Sequence, residues 1–83
     1  MAWPVAAQDD AARYGARMLA HIAYSVEKCG AAAPDPEKVG RAMSVVMRAQ
    51  AEHLISATRF QLAALEKQHG VEAVCVSIKE AYR

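Results

Sequence analysis

The sequence has no excess of charge of either sign and no long run of apolar residues. Its ten basic residues are scattered among nine acidic ones, which leaves a net charge of +1. Such a balance gives no support to a nucleic-acid partner or to an anionic membrane. No run approaches the ~20 apolar residues that a membrane span needs, and residues 1–8 have neither the basic start nor the apolar core of a signal peptide. We therefore expect a cytoplasmic protein that binds another protein or a small molecule.

Cysteine is also scarce, with only Cys29 and Cys75 in the chain. Neither belongs to a CxxC or CxxH pair, so a metal or redox motif is not indicated. Two states are open to them, a disulfide or two separate thiols. We favour two buried, inert thiols, because the predicted cytoplasmic compartment keeps cysteines reduced.

The few glycines and prolines leave long stretches free to form helix, and almost a quarter of the chain is alanine, a strong helix former. Asp35-Pro36-Glu37 predicts a helix start, because Asp is a favoured N-cap and Pro fits the first helical position. Gly70 predicts a helix stop, and between these points only Gly40 could interrupt a helix. The pattern predicts one long helix over about 36–69, roughly 50 Å in length.

Two shorter helices complete the predicted all-α fold of three helices. Asp9 and Asp10 suit the N-terminus of a helix over about 10–29. Apolar residues at helical spacing predict a third helix over about 71–82; a strand would fit part of that segment but would lack a pairing partner. Both short helices could lie along one side of the long helix, which would leave its other side uncovered.

The first helix has two apolar faces of different character. The face with large side chains consists of Tyr14, Met18, Ile22, Ser25, Val26 and Cys29. Beside it runs a strip of small residues, Ala12, Ala16, Ala20 and Ala23. Such a strip permits close approach of another helix, although alanine is also simply a good helix former. Tyr24 falls on the polar side of the wheel.

The apolar arc of the long helix covers more than half of its circumference, which is wider than one packing face requires. We infer two contacts, one within the chain and one with a second copy, so that residues 1–83 form one domain of a homodimeric helical bundle. An extended arm over 1–8 carries the only tryptophan and could cross to the partner. The predicted protein-interface residues are Trp3, Met43, Met47, Leu54, Phe60, Leu62, Leu65 and Tyr82.

No residue set in the chain indicates an enzyme, a metal site or a cofactor. Within its own predicted helix, none of the three histidines has a second His or acid at the spacing of a zinc or di-iron face, apart from a single Glu66–His69 pair. One catalytic alternative is open. Arg48 and His53 have the Arg-x4-His spacing that resembles helical ribonucleases of the HEPN family, in which the pair belongs to an RNA-cleavage site across a dimer. Ala49 replaces the polar residue usual after the arginine, so we favour a surface arginine near a half-buried histidine.

The stretch over 41–70, RAMSVVMRAQAEHLISATRFQLAALEKQHG, resembles the QslA-type antiactivators of bacterial quorum sensing, a family of small helical proteins. The resemblance lies in size, alanine-rich helices and a long central segment, and it transfers no functional residue. It implies a cytoplasmic homodimer that binds a LuxR-type transcription activator and blocks its dimerisation or DNA binding. We therefore predict a non-catalytic regulatory protein that sequesters a partner, with a HEPN-like ribonuclease or a structural helical adaptor as alternatives.

Overall fold

The computed structural model describes residues 5–82, and the side chains from residue 10 onward. This part of the chain folds into helices with no strand, so the all-α prediction is confirmed. There are four helices rather than three: α1 Val5–Lys28, α2 Pro36–Arg48, α3 Glu52–His69 and α4 Val71–Ala81. The extended arm predicted over 1–8 is wrong in part, because α1 already begins at Val5. Trp3 lies outside the described residues.

Two helix boundaries lie where the local sequence predicts them. The Asp35 side chain accepts a hydrogen bond from the backbone N–H of Glu37 at 3.1 Å, and Pro36 occupies the first helical position of α2. Gly70 ends α3 and begins α4 with a φ of 89°, a conformation that glycine adopts without a Cβ clash. Gly40 lies inside α2 and does not interrupt it.

The prediction of one long helix over 36–69 is wrong, because the chain breaks between α2 and α3. Gln50 adopts a left-handed conformation with a φ of 53°. Its N–H donates to the carbonyl of Met47, and the Ala51 N–H donates to the carbonyl of Val46. These are the two hydrogen bonds of a Schellman motif, which normally has glycine where this chain has Gln50. Val46 and Ala51 are both buried in the same core cluster, as the apolar contact of that motif requires.

The break makes α1, not the second helix, the central element of the fold. α2 runs back along the N-terminal half of α1, where the Val46 side chain and the Ala42 carbonyl lie close to Gly15. The chain then reverses at the break, and α3 follows α1 in the same direction, as the pairs Glu27–Arg59 and Lys28–Glu66 indicate. α4 runs antiparallel to α1, since Cys75 lies at its C-terminal end and Tyr82 beside its middle.

Two small apolar clusters hold these helices together. The first joins α1, α2 and the start of α3 through Ala12, Ala16, Leu19, Ala42, Val46 and Ala51. The second joins α1, α3 and α4 through Tyr24, Leu62, Val74 and Ile78. Close approach in the first cluster depends on Gly15, where a Cβ would lie 3.3 Å from a Val46 methyl.

Cys29 and Cys75 form a disulfide, with Cα atoms 5.7 Å apart. The prediction of two separate reduced thiols is therefore wrong. Cys29 follows the last residue of α1 and Cys75 lies within α4, so the bond fixes α4 to the C-terminal end of α1. The disulfide does not fit the cytoplasmic compartment that was expected, because disulfides persist mainly in oxidising compartments. Among the described helices, none is long and apolar enough to cross a bilayer.

Candidate functional site: a groove along the first helix

A long open groove of about 1460 Å³ runs along α1 between α2 and α4. Its floor is the face of α1 that carries the large apolar side chains. The residues of this floor are Tyr14, Met18, Ile22, Ser25, Val26 and Cys29. From Tyr14 to Cys29 the floor spans about 22 Å of helix, which corresponds to roughly four helical turns.

The walls of the groove are also largely apolar. α2 contributes Ala42 and Val45, and α4 contributes Val76, Ile78 and Tyr82. The connector between α1 and α2 closes one end with Ala31, Ala32 and Pro34. Tyr14, Val26 and Val76 are 62%, 42% and 56% exposed. Several large apolar groups therefore face solvent in one concave surface, which is the usual character of a binding site.

The groove exists because α1 packs its small residues inward. Ala12, Ala16 and Ala20 are almost fully buried, and they face α2 and α3 as a close-packing strip. The large-residue face lies on another side of α1, where Met18 packs partly against the first cluster and Val26 is left exposed. The sequence identified both faces of this helix, but it did not identify which of them the chain itself would cover.

Positive charge predominates at the rim of the groove. Lys38 and Arg41 line it on the α2 side and Lys79 on the α4 side, whereas Asp35 is the only acidic residue that the described part of the chain contributes to the lining. The Asp35 carboxylate is already engaged as the N-cap of α2. The two ion pairs found within residues 10–82 involve other side chains, Lys28–Glu66 and Arg59–Glu27. No side chain between residues 10 and 82 forms an ion pair with any of the three rim cations, so each can bind an external anion.

His21 and Tyr82 connect the wall of the groove to its floor. The Tyr82 hydroxyl lies 2.7 Å from His21 Nδ1, and the two rings meet edge-on with centroids 5.4 Å apart. Burial, helped by the charge of Arg17, lowers the pKa of His21, while burial raises the pKa of Tyr82. Both groups are neutral at pH 7, so the hydroxyl can donate to the unprotonated ring nitrogen and hold the end of α4 on α1.

A second polar cluster lies on the far side of α1, against α3. The Tyr24 hydroxyl donates to Glu66 at 2.8 Å, and Lys28 Nζ lies 2.9 Å from the same carboxylate. Burial and the bond to Glu66 raise the pKa of Tyr24 to about 12, and the bonds from Lys28 and Tyr24 lower the pKa of Glu66. The helical wheel placed Tyr24 on the polar side of α1. The structure instead buries Tyr24 through this contact, which joins α1 to α3.

A smaller cavity of about 300 Å³ lies between α1, α3 and α4. Its lining is mostly apolar, with His21, His69 and Ser77 as the polar contributors. Within the described residues, no group of three or more His, Cys, Asp or Glu side chains is placed to hold a metal ion. This cavity therefore offers packing volume but no assembled ligand set.

The predicted interface residues do not share one surface. Met43 and Leu54 are half-buried against the first cluster, and Leu62 is 4% exposed in the second, so these three residues serve the chain's own core. Phe60 is 77% exposed on α3, and Met47 and Leu65 are also exposed; none of the three lines the groove. Of the predicted set within the described residues, only Tyr82 lines it.

Arg48 and His53 lie on different helices. Arg48 is the last residue of α2 and His53 belongs to the first turn of α3, with the left-handed Gln50 between them. The HEPN-like alternative was based on the spacing of these two residues in the sequence, and it stays a prediction.

The fold and the groove define a small all-α protein with an uncovered apolar surface along its central helix. Comparison with known protein families, with characterised proteins and with solved structures finds no match to this chain. The resemblance to quorum-sensing antiactivators accordingly stays a hypothesis.

Proposed function

We propose that this chain is a non-catalytic protein-binding module that holds a segment of a partner in the groove along α1. The observation that carries the proposal is the floor of the groove, in which Tyr14 and Val26 are exposed and Met18 and Ile22 are half-buried. Burying one such side chain stabilises a complex by about 1.5–3 kcal/mol. A floor of this kind therefore has binding free energy to contribute without any reacting group.

The partner that we propose is taken from the resemblance of residues 41–70 to quorum-sensing antiactivators. The module would act as an antiactivator that occludes the dimerisation surface of a LuxR-type transcription activator. Occlusion requires only a surface that competes for a helix-rich interface, and the groove has that character. The homodimer was predicted from one continuous helix of roughly 50 Å. Because that helix is broken between α2 and α3, the homodimer is now a separate hypothesis. A light-scattering measurement of mass would test it.

Photo-crosslinking from two positions tests the site. A photoreactive amino acid at Val26 lies in the floor, whereas one at Phe60 lies on the exposed face of α3 and serves as the matched control. We expect a discrete protein adduct from position 26 in the native cell, and we expect Tyr14→Asp in the same floor to abolish it. An adduct from position 60 alone would place the binding site on α3 and contradict the proposal.

The antiactivator form has its own test. In a reporter strain driven by a LuxR-type activator, we expect co-expression of the chain to reduce transcription and Val26→Asp to restore it. Unchanged transcription with the native chain would refute this form while leaving a different protein partner open to the crosslinking experiment.

A further inference from the structure

We infer that the groove accepts an amphipathic helix with acidic residues on both sides of its apolar face, an inference that rests on the proposed function. The floor extends for about four helical turns, so it matches an occupant of roughly 15 residues. An occupant helix would present apolar residues at positions i, i+3, i+4 and i+7, as in other helix-in-groove complexes. The acidic residues on the two flanks of the bound helix would then lie against α2 and α4.

The charge of the groove rim determines which charged side chains a bound helix would carry on either side of its apolar face. Lys38 and Arg41 are one helical turn apart on the α2 side of the groove, and Lys79 lines its α4 side. All three are exposed, and the ion pairs of the described residues involve none of them. Acidic side chains on both flanks of a bound helix would therefore find unpaired cations, whereas basic flanks would be repelled.

The same charges argue against two other occupants. In a two-fold pair of identical grooves, the basic rims of both copies would be brought together, and like charges in register are unfavourable. An anionic membrane would be attracted by the rim, but the apolar floor is recessed between α2 and α4, where a flat bilayer cannot reach it. A single helix inserted between the walls reaches both the floor and the rim.

Two designed peptides of 18 residues provide the probes. Both carry leucine at the same i, i+3, i+4 and i+7 positions; one has glutamate on its flanks and the other lysine. With fluorescence anisotropy at low salt, we expect the glutamate peptide to bind about tenfold or more tightly than the lysine peptide, because each exposed ion pair contributes about 0.2–1 kcal/mol. The preference should weaken at high salt, where exposed charges are screened.

Charge-reversal variants show whether the rim sets the preference. The triple variant Lys38→Glu, Arg41→Glu and Lys79→Glu should reverse the order of the two peptides. The matched control, Arg13→Glu, Arg48→Glu and Lys67→Glu, changes the net charge equally at exposed positions outside the groove and should retain the glutamate preference. Circular dichroism verifies that each variant keeps its helices.

The remaining outcomes separate this inference from the proposed function. Equal binding of both peptides, abolished by Val26→Asp, would overturn the acidic-helix inference and leave the groove as a binding site. No binding of either peptide, or binding that survives Val26→Asp, would overturn the inference and count against the groove itself. Anionic vesicles that displace the glutamate peptide, or a dimer lost on Val26→Asp, would identify a membrane or a second copy as the occupant and overturn the inference.

Discussion

Removal of the disulfide should cost this protein a large part of its stability. Cys29 and Cys75 are separated by 46 positions in the sequence, and closing a loop of that length removes about 4 kcal/mol of chain entropy from the unfolded state in the loop-closure treatment. Domains of this size are stable by only about 5–15 kcal/mol. The double variant Cys29→Ser/Cys75→Ser should therefore be marginally folded at room temperature.

Urea unfolding followed by helical circular dichroism measures this loss. With a denaturant slope of about 1–2 kcal/mol per molar, the midpoint should fall by roughly 2–4 M. Native protein treated with a thiol reductant should unfold at the same midpoint as the double variant, which controls for the two serines. The reasoning would be refuted by two titratable thiols in the protein purified without reductant, or by equal midpoints for the native and double-variant proteins.

Three further predictions test the helix break, the close helix contact and the buried tyrosine. Gln50→Gly should stabilise the fold by about 1 kcal/mol, because glycine adopts the left-handed conformation without strain; a loss of about 1 kcal/mol, as expected inside a continuous helix, would contradict the break. Gly15→Leu should destabilise by about 1–3 kcal/mol through overpacking against Val46, whereas Gly40→Leu, with open space at its Cβ, should be neutral or stabilising in the same urea experiment. Tyr24→Phe should cost about 1 kcal/mol at pH 7. Because the pKa of Tyr24 is raised from 10 to about 12 in the folded protein, the stability it contributes is present below pH 10 and is lost as pH rises to 12. If the native protein and the Tyr24→Phe variant lose the same free energy of unfolding over that range, this role of Tyr24 is excluded. Tyr14→Phe is the control at an exposed tyrosine.

The parts of the fold that the sequence predicted are those specified by local chemistry. The N-cap at Asp35 and the glycine stop at position 70 depend on residues within one helical turn, so composition and spacing were sufficient to predict them. The helical register of α1 was equally local, and it separated the alanine strip from the large-residue face. These local signals gave the all-helical class and most of the helix ends.

The parts that the sequence did not predict depend on contacts between distant segments. Gln50 occupies a left-handed position where glycine is the usual signal, and the remaining clue was the apolar pair Val46 and Ala51, which a continuous helix would also accommodate. The disulfide depends on α4 folding back to the end of α1, which no spacing between two isolated cysteines reveals. Tyr24 was assigned to the polar side because its neighbours are charged, yet its ring is buried in the second cluster while its hydroxyl bonds to Glu66.

The two faces of α1 have different roles in the packing of this protein, and the difference explains why a groove lies along the helix. Alanine buries little surface, so a core built from Ala12, Ala16 and Ala20 gains close helix approach but little hydrophobic free energy per residue. Tyr14 and Val26 have most to gain from burial, because the chain leaves them exposed, whereas Met18 and Ile22 on the same face are already half-buried. The disulfide at one end and the His21–Tyr82 bond along the wall hold α4 beside that face and keep the groove preformed. A preformed groove avoids the ordering cost that a flexible surface incurs on binding, so its apolar floor can contribute directly to the affinity for a partner helix.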